Sequence, residues 1–294
     1  TQAVTPTERA LRTLSGYRAA TRRVESWARN MDGADSGPFR KYIWNLISEP
    51  GDVYRNERNA YIKRFLDIVS AVEGGLKPYK LAAPEIGYTF SGKSELLHAI
   101  LHTGNESNKR KLLLGRRWAT ENADGTLDTS RWDAFVTRMQ AEGRLTKSDY
   151  DFAQATWDLL EETKEGAQRA HRTVYGRYFE EITAEAFDTP YGSYRGGYVP
   201  ALTDSFLVQD AAQRADQEAI TEGDANMFPS PAKGFTKSRV DYNRELALDL
   251  RLIPQHIDKV LKFTYFAPPT REAVRLLKEK GFSAKLNAYD PVAQ

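Results

Sequence analysis

The chain has 294 residues, of which 40% are hydrophobic and 28% charged, the balance of a globular protein with a sizeable core. Its formal net charge of +2 excludes a global field that would drive it onto nucleic acid or an anionic membrane, so any such binding has to come from a local patch. The absence of cysteine rules out disulfides, thiolate metal sites and cysteine nucleophiles together, and no run of about 18 apolar residues is present to cross a bilayer.

The first stretch, TQAVTPTERALRTL, carries no apolar signal core and no initiator Met, and we expect a processed chain or a piece of a longer one. Thr5, Pro6 and Glu8 form a helix start with a capping box, and Leu11, Leu14, Tyr17, Val24 and Trp27 follow on one face. After the loop Asp32–Gly37, a short helix over Phe39–Ile47 is expected to break at Pro50-Gly51. A longer helix then carries Tyr54, Tyr61, Phe65, Ile68 and Val72 and ends at Gly74-Gly75. Residues 76–93, with Pro78 and Pro84, read as a loop. Compact helices follow in SELLHAILHTG and NESNKRKLLLGRRW, then a turn at Asp124-Gly125 and the amphipathic helix SRWDAFVTRMQAEG, closed by Gly143. Thr146 and Asp149 make a second capping box that opens a helix to about Tyr178, with Tyr150, Trp157, Leu160, Ala167, Val174 and Tyr178 on its apolar stripe. The turn residues Thr189-Pro-Tyr-Gly192 predict a hairpin. A helix is expected near 205–221, then a Pro/Gly-rich loop, MFPSPAKGFTKSR. In ELALDLRLI, Leu246, Leu248, Leu250 and Leu252 alternate with polar positions, predicting a strand that joins the hairpin. The last helices are HIDKVLKFTYF, stopping before Pro268-Pro269, and TREAVRLLKEKG.

The expected fold is therefore mainly α: an extended helical bundle with a small antiparallel β element, a hairpin plus one strand, in the C-terminal half. Its expected divisions are a helical part over 1–178, an α+β part over 179–253, and C-terminal helices over 254–294 packing back on the core.

Five groups of residues are weighed for a functional reading. Gly87–Ser94, GYTFSGKS, matches the phosphate-binding pattern G-x-x-x-x-G-K-[ST]. That motif needs a buried parallel strand before it and a second strand ending in a carboxylate, and neither is visible; Ser91 or Ser94 is expected to cap a helix and Lys93 to be solvated. Glu95, His98 and His102 share one helical face, but lack the H-E-x-x-H order of a zinc helix, so helix-end histidines are expected rather than a metal site. Residues 93–118 hold six cations against two carboxylates, and Lys109, Arg110, Lys111, Arg116 and Arg117, with Arg18 and Arg22 from the first helix, form a candidate nucleic-acid or partner surface. The simpler reading of those cations is a solvated face, or salt bridges to Asp149, Asp151, Asp158, Glu161 and Glu162. Tyr194, Arg195 and Tyr198 form a candidate partner-contact loop, although tyrosine-rich turns more often pack a small sheet onto helices. Asp249, Arg251 and His256 have no serine partner at a strained elbow, so no triad is assigned. No catalytic, cofactor-binding or metal-binding residue is assigned, and no cofactor is expected.

Three stretches together, KSELLHAILHTGNESNKRKLLLG, LTKSDYDFAQATWDLLEE and TPYGSYRGGYVPAL, resemble a module of the large polyvalent proteins of tailed bacteriophages and related mobile elements. The motifs are His102-Thr-Gly104-Asn105-Glu106-Ser-Asn108, the helix Leu145 to Asp158, and the turn Gly196 to Pro200. GFTKSRVDYNRELALDLRLIPQHIDKVLKFTYFAPP resembles the segment that follows, so the likeness covers roughly residues 90–285. The resemblance implies one non-enzymatic module of a giant chain carried in the virion interior and delivered into the host with the genome. Its implied partners are neighbouring domains, other virion proteins, or further copies of itself, with catalysis belonging to other domains. The alternative is a nucleic-acid-binding module that uses the basic helical surfaces.

Overall fold

The computed structural model describes residues 39–179, 183–201 and 245–281, with residues 26, 28–30, 32, 37 and 181. The expected helix near 205–221, the loop after it and the first helix before residue 26 lie outside the described residues. The protein is mainly α with small antiparallel β ladders. The helices are α1 (Asn45–Ser70), α2 (Lys93–Leu101), α3 (Glu106–Gly115), α4 (Ser130–Ala141), α5 (Lys147–Tyr175) and α6 (Leu252–Lys278). A π-helical turn, Arg40–Trp44, runs directly into α1, and a 3-10 turn, His102–Gly104, joins α2 to α3. The ladders are β1 (Pro78–Ala83) with β2 (Tyr88–Gly92), β3 (Thr120–Glu121) with β4 (Leu127–Asp128), and β5 (Phe187–Thr189) with β6 (Gly192–Tyr194). Among the described residues no helix is long and apolar enough to cross a membrane.

The chain divides into two compact units, residues 1–56 with 265–294 and residues 57–264. In the first, the Asp32 carboxylate accepts the Phe39 and Arg40 amides at 2.8 and 2.7 Å, and Tyr54 meets Phe266 edge-on. Among the described residues the second unit holds α2 to α5 and the expected hairpin.

The core of the second unit begins with an aromatic cluster. Phe90 of β2 stacks on Phe135 of α4, and Trp118 stacks on Trp132 with ring centres 5.4 Å apart. Leu96, Leu97 and Leu101 of α2 are fully buried, as are Leu112, Leu113 and Met139. On α5 the expected stripe is buried through Tyr150, Trp157, Leu160 and Ala167; Tyr178 is exposed because the helix stops at Gly176, which takes the left-handed conformation that a Cβ disfavours. Thr146 and Asp149 form the expected capping box. Gly143, at φ 64°, ends α4 as expected. The hairpin at 187–194 is also as expected.

Four expectations are corrected. Residues 76–93 form a hairpin rather than a loop, because Pro78 is the first residue of its strand and Pro84 lies in the turn, where neither needs to donate to the ladder. Residues 245–251 are not a strand beyond a single bridge at Leu246. Asp249 accepts the Arg251 amide on its carboxylate and the Leu252 amide on its carbonyl, which turns the chain into α6, and Pro254 suits the first turn of that helix. The prolines at 50 and at 268–269 interrupt nothing: α1 and α6 run through them, each proline giving up one helical hydrogen bond. The β element is therefore three separate ladders among the described residues, not one hairpin extended by a strand.

Candidate functional site

The GYTFSGKS stretch is the β2 strand running straight into α2, with no phosphate-sized loop between them. Gly92 is extended and pairs with Pro78. Contrary to expectation, Lys93 is buried: its Nζ donates to Asp149 Oδ2 at 2.5 Å and to the Arg144 carbonyl at 2.6 Å. The expected serine cap is not formed: the N-cap is Gly92, and the Glu95 carboxylate reaches back to accept the Ser91 amide at 2.5 Å, the Ser91 hydroxyl at 2.7 Å and the Tyr88 hydroxyl. A carboxylate already occupies the helix start that a phosphate would use, and the lysine that would meet the phosphate is neutralised inside the core.

The three motif stretches converge on one buried joint. Gly104, at the end of the 3-10 turn, accepts the Glu185 and Gly197 amides on its carbonyl at 3.1 and 2.8 Å. Asn105 caps α3 by accepting the Asn108 amide at 2.9 Å, and its Nδ2 donates to the Gly197 carbonyl at 3.0 Å. Asn108 Nδ2 donates to the Val199 carbonyl at 2.8 Å. From α5, Trp157 donates its indole N–H to the Leu101 carbonyl at 3.0 Å and lies against both Gly104 and Gly197. Residues 197–199 belong to no strand, and two asparagine side chains supply the donors that the buried Gly197 and Val199 carbonyls need. Gly196, at φ 73°, is pressed against the Glu185 and Gly104 carbonyls, leaving no room for a side chain.

All four histidines, His98, His102, His171 and His256, are buried. The His98 and His102 rings are 4.8 Å apart, and His98 Nδ1 accepts the Asp249 amide at 2.8 Å. Burial pushes His98 down to about 4, which keeps it neutral. Among the described residues no group of three or more His, Cys, Asp or Glu is placed to hold a metal, and Glu95 is committed to Tyr88 and Ser91. His171 bonds the Arg177 carbonyl through Nδ1, and His256 lies beside the Tyr198 ring.

The candidate basic surface is thinned. Arg116 is buried: Nε donates to the Leu246 carbonyl at 3.1 Å, Nη1 faces Glu245 at 3.6 Å, and the guanidinium lies over the Tyr88 and Trp118 rings. Arg110 is engaged by Glu121 and by the Gly125 carbonyl. Lys109 and Lys111 are half-buried and Arg117 is exposed, while Arg18 and Arg22 lie outside the described residues. Of the acidic residues suggested as partners, Asp149 takes Lys93 and Asp158 takes Arg195. In the candidate contact loop, Tyr194 is buried with its hydroxyl on Asp151, and Tyr198 is buried; only Arg195 is exposed, donating its amide to Gln154 Oε1. Tyr194 and Tyr198 thus pack the hairpin segment onto its own unit.

Sequence reasoning missed the structural parts of Lys93, Arg116 and Glu95. Asp149 was legible as a cap, but the same Oδ2 that accepts the Thr146 amide also takes a lysine 56 positions away, for which no local signal exists. Compared with protein-family models, with curated proteins and with solved structures, the chain matches none.

Proposed function

We propose that this chain is a non-enzymatic structural module of a large phage-encoded protein, held in the virion interior, delivered with the genome, and acting through contacts with neighbouring domains, other virion proteins and copies of itself. The observation that carries this reading is the convergence of the three resembling stretches on one joint. The polar groups of Asn105, Asn108 and Trp157 are spent on internal carbonyls, so the motif residues serve to fix the module's shape. A shape held by buried hydrogen bonds of this kind suits a part whose work is assembly.

Mass spectrometry of purified particles from the source culture tests the reading, using the tryptic peptides Trp132–Arg138 and Leu252–Lys259. Several copies per particle within one long polypeptide are expected. Their absence from particles while present in cells would overturn it, as would hydrolysis of nucleotide or peptidoglycan by this chain that is lost on changing one of its residues. Among the described cations of the nucleic-acid reading, Arg116 is buried and Arg110 is engaged by Glu121 and the Gly125 carbonyl, which weighs against it.

A further inference from the structure

Residues 245–251 are held to the helical core by two side chains of different character. Arg116 grips the Leu246 carbonyl and faces Glu245 through its guanidinium. His98 grips the segment through Nδ1, which accepts the Asp249 N–H at 2.8 Å. That bond requires an unprotonated Nδ1, so the neutral ring carries its hydrogen on Nε2. A proton added to the ring has only Nδ1 to occupy, where it would point at the Asp249 N–H, donor against donor.

We propose that the His98–Asp249 hydrogen bond is an acid-sensitive latch: protonation of His98 opens it and releases residues 247–251 from α2, while Arg116 keeps Glu245 and Leu246 in place.

The surroundings of the ring favour a latch rather than a group that titrates silently. Its own chain segment supplies His102, a second titratable ring 4.8 Å away. The α3 end supplies Arg116, whose charge opposes a cation at His98. Residues 245–251 supply the Asp249 carboxylate and the Ala247 backbone, both of which favour a cation. The Asp249 carboxylate is already paired with Arg251 at 2.7 Å, which blunts its pull. Full burial outweighs these and holds the ring at about 4 instead of 6.5. A released ring takes its proton near 6.5 and the latched ring only near 4, so release binds a proton. The latch is complete above about pH 6.5 and weakens as the pH falls toward 4, by roughly a hundredfold or more across that window. Leu246 and Leu250 are both buried, so the segment keeps apolar anchors and the opening is local rather than a global unfolding.

Hydrogen exchange of the full chain, read by mass spectrometry at pH 7 and pH 4.5 and corrected for intrinsic rates, tests the latch. The expected result is a loss of protection of about tenfold or more in peptides covering 247–251, with little change over 112–118. In H98N the amide oxygen stands where Nδ1 stood and does not titrate, so protection is expected at both pH values. H102N should respond to acid as the parent does. Full protection of 247–251 in the parent at pH 4.5 would overturn the proposal, as would an acid response abolished by H102N or retained by H98N. So would an opening confined to residues 93 and 144–150, which would place the sensor at the Lys93–Asp149 pair. Should H98N not fold, ring nitrogen shifts of the parent protein decide. Neutral His98 with Nε2 protonated at pH 7, titrating together with the exchange, supports the latch; an Nδ1-protonated ring at pH 7, or a charged ring beside a protected Asp249 amide, overturns it.

Discussion

Trp157 lies so close over Gly104 that a Cβ on the glycine would sit 2.5 Å from the indole and 2.8 Å from the Gly197 amide nitrogen. Three chain segments from different parts of the sequence therefore meet with no spare methyl group between them. G104A is expected to destabilise the protein by about 1–3 kcal/mol through overpacking. In a unit of this size each kcal/mol lowers the melting temperature by roughly 2–4 °C. Calorimetry checks this, and the double variant G104A/W157L should lose less than the sum of the two single changes, because the smaller side chain vacates the space the methyl needs. Strict additivity would mean that the two residues are not in contact.

Removing one partner of the Lys93–Asp149 pair leaves a charge in the core, and K93A is expected to cost about 3–5 kcal/mol in chemical denaturation. K93M/D149L, which replaces both by apolar groups, should recover part of that loss, although Thr146 also loses its cap. Because Lys93 is occupied and Glu95 fills the helix start, magnesium-ATP is expected to leave the melting temperature of the parent chain unchanged. A concentration-dependent rise would restore the phosphate-binding reading.

Arg116 and its neighbours separate architecture from surface. R116Q should lower stability by about 1.5–3 kcal/mol, since it strips charged hydrogen bonds from a buried carbonyl, whereas K109Q should stay within about 0.5 kcal/mol of the parent. On the nucleic-acid reading, removing a phosphate-contacting lysine would instead flatten the salt dependence of DNA binding by about 0.9 per contact. A binding isotherm that shows no such slope for the parent chain sinks that reading.

Tyr88 and Tyr150 are both pushed up to about 12, chiefly by burial, Tyr88 also by its bond to the Glu95 carboxylate. The unfolded chain releases these protons near 10, so their contribution to stability is complete below pH 10 and is lost as the pH rises through 12. Ultraviolet titration of the native protein should show a late fraction of tyrosine ionisation that vanishes in denaturant, and Y88F and Y150F should each remove part of it. Complete ionisation near pH 10 in the native state would contradict their burial.

Much of the helical architecture was legible before the tertiary structure. The Thr146–Asp149 cap, the α5 stripe from Tyr150 to Ala167, the stop at Gly143 and the turn at Thr189–Gly192 all follow from local rules of capping, periodicity and backbone freedom. Each depends on residues a few positions apart, which the sequence states directly. Pro78 and Pro84 misled because a proline marks a backbone without a donor, and only the tertiary arrangement says whether that donor was needed. The leucines of ELALDLRLI misled because alternation specifies a strand only when a neighbouring strand is there to pair; an Asx turn at Asp249 and the start of α6 stood in its place. The roles of charged and polar side chains were decided last of all. Lys93, Arg116, His98 and the asparagines of the Gly104 joint acquire their meaning from partners 50 to 150 residues distant, and whether a cation faces water or a buried carbonyl depends on which surfaces the packed chain encloses.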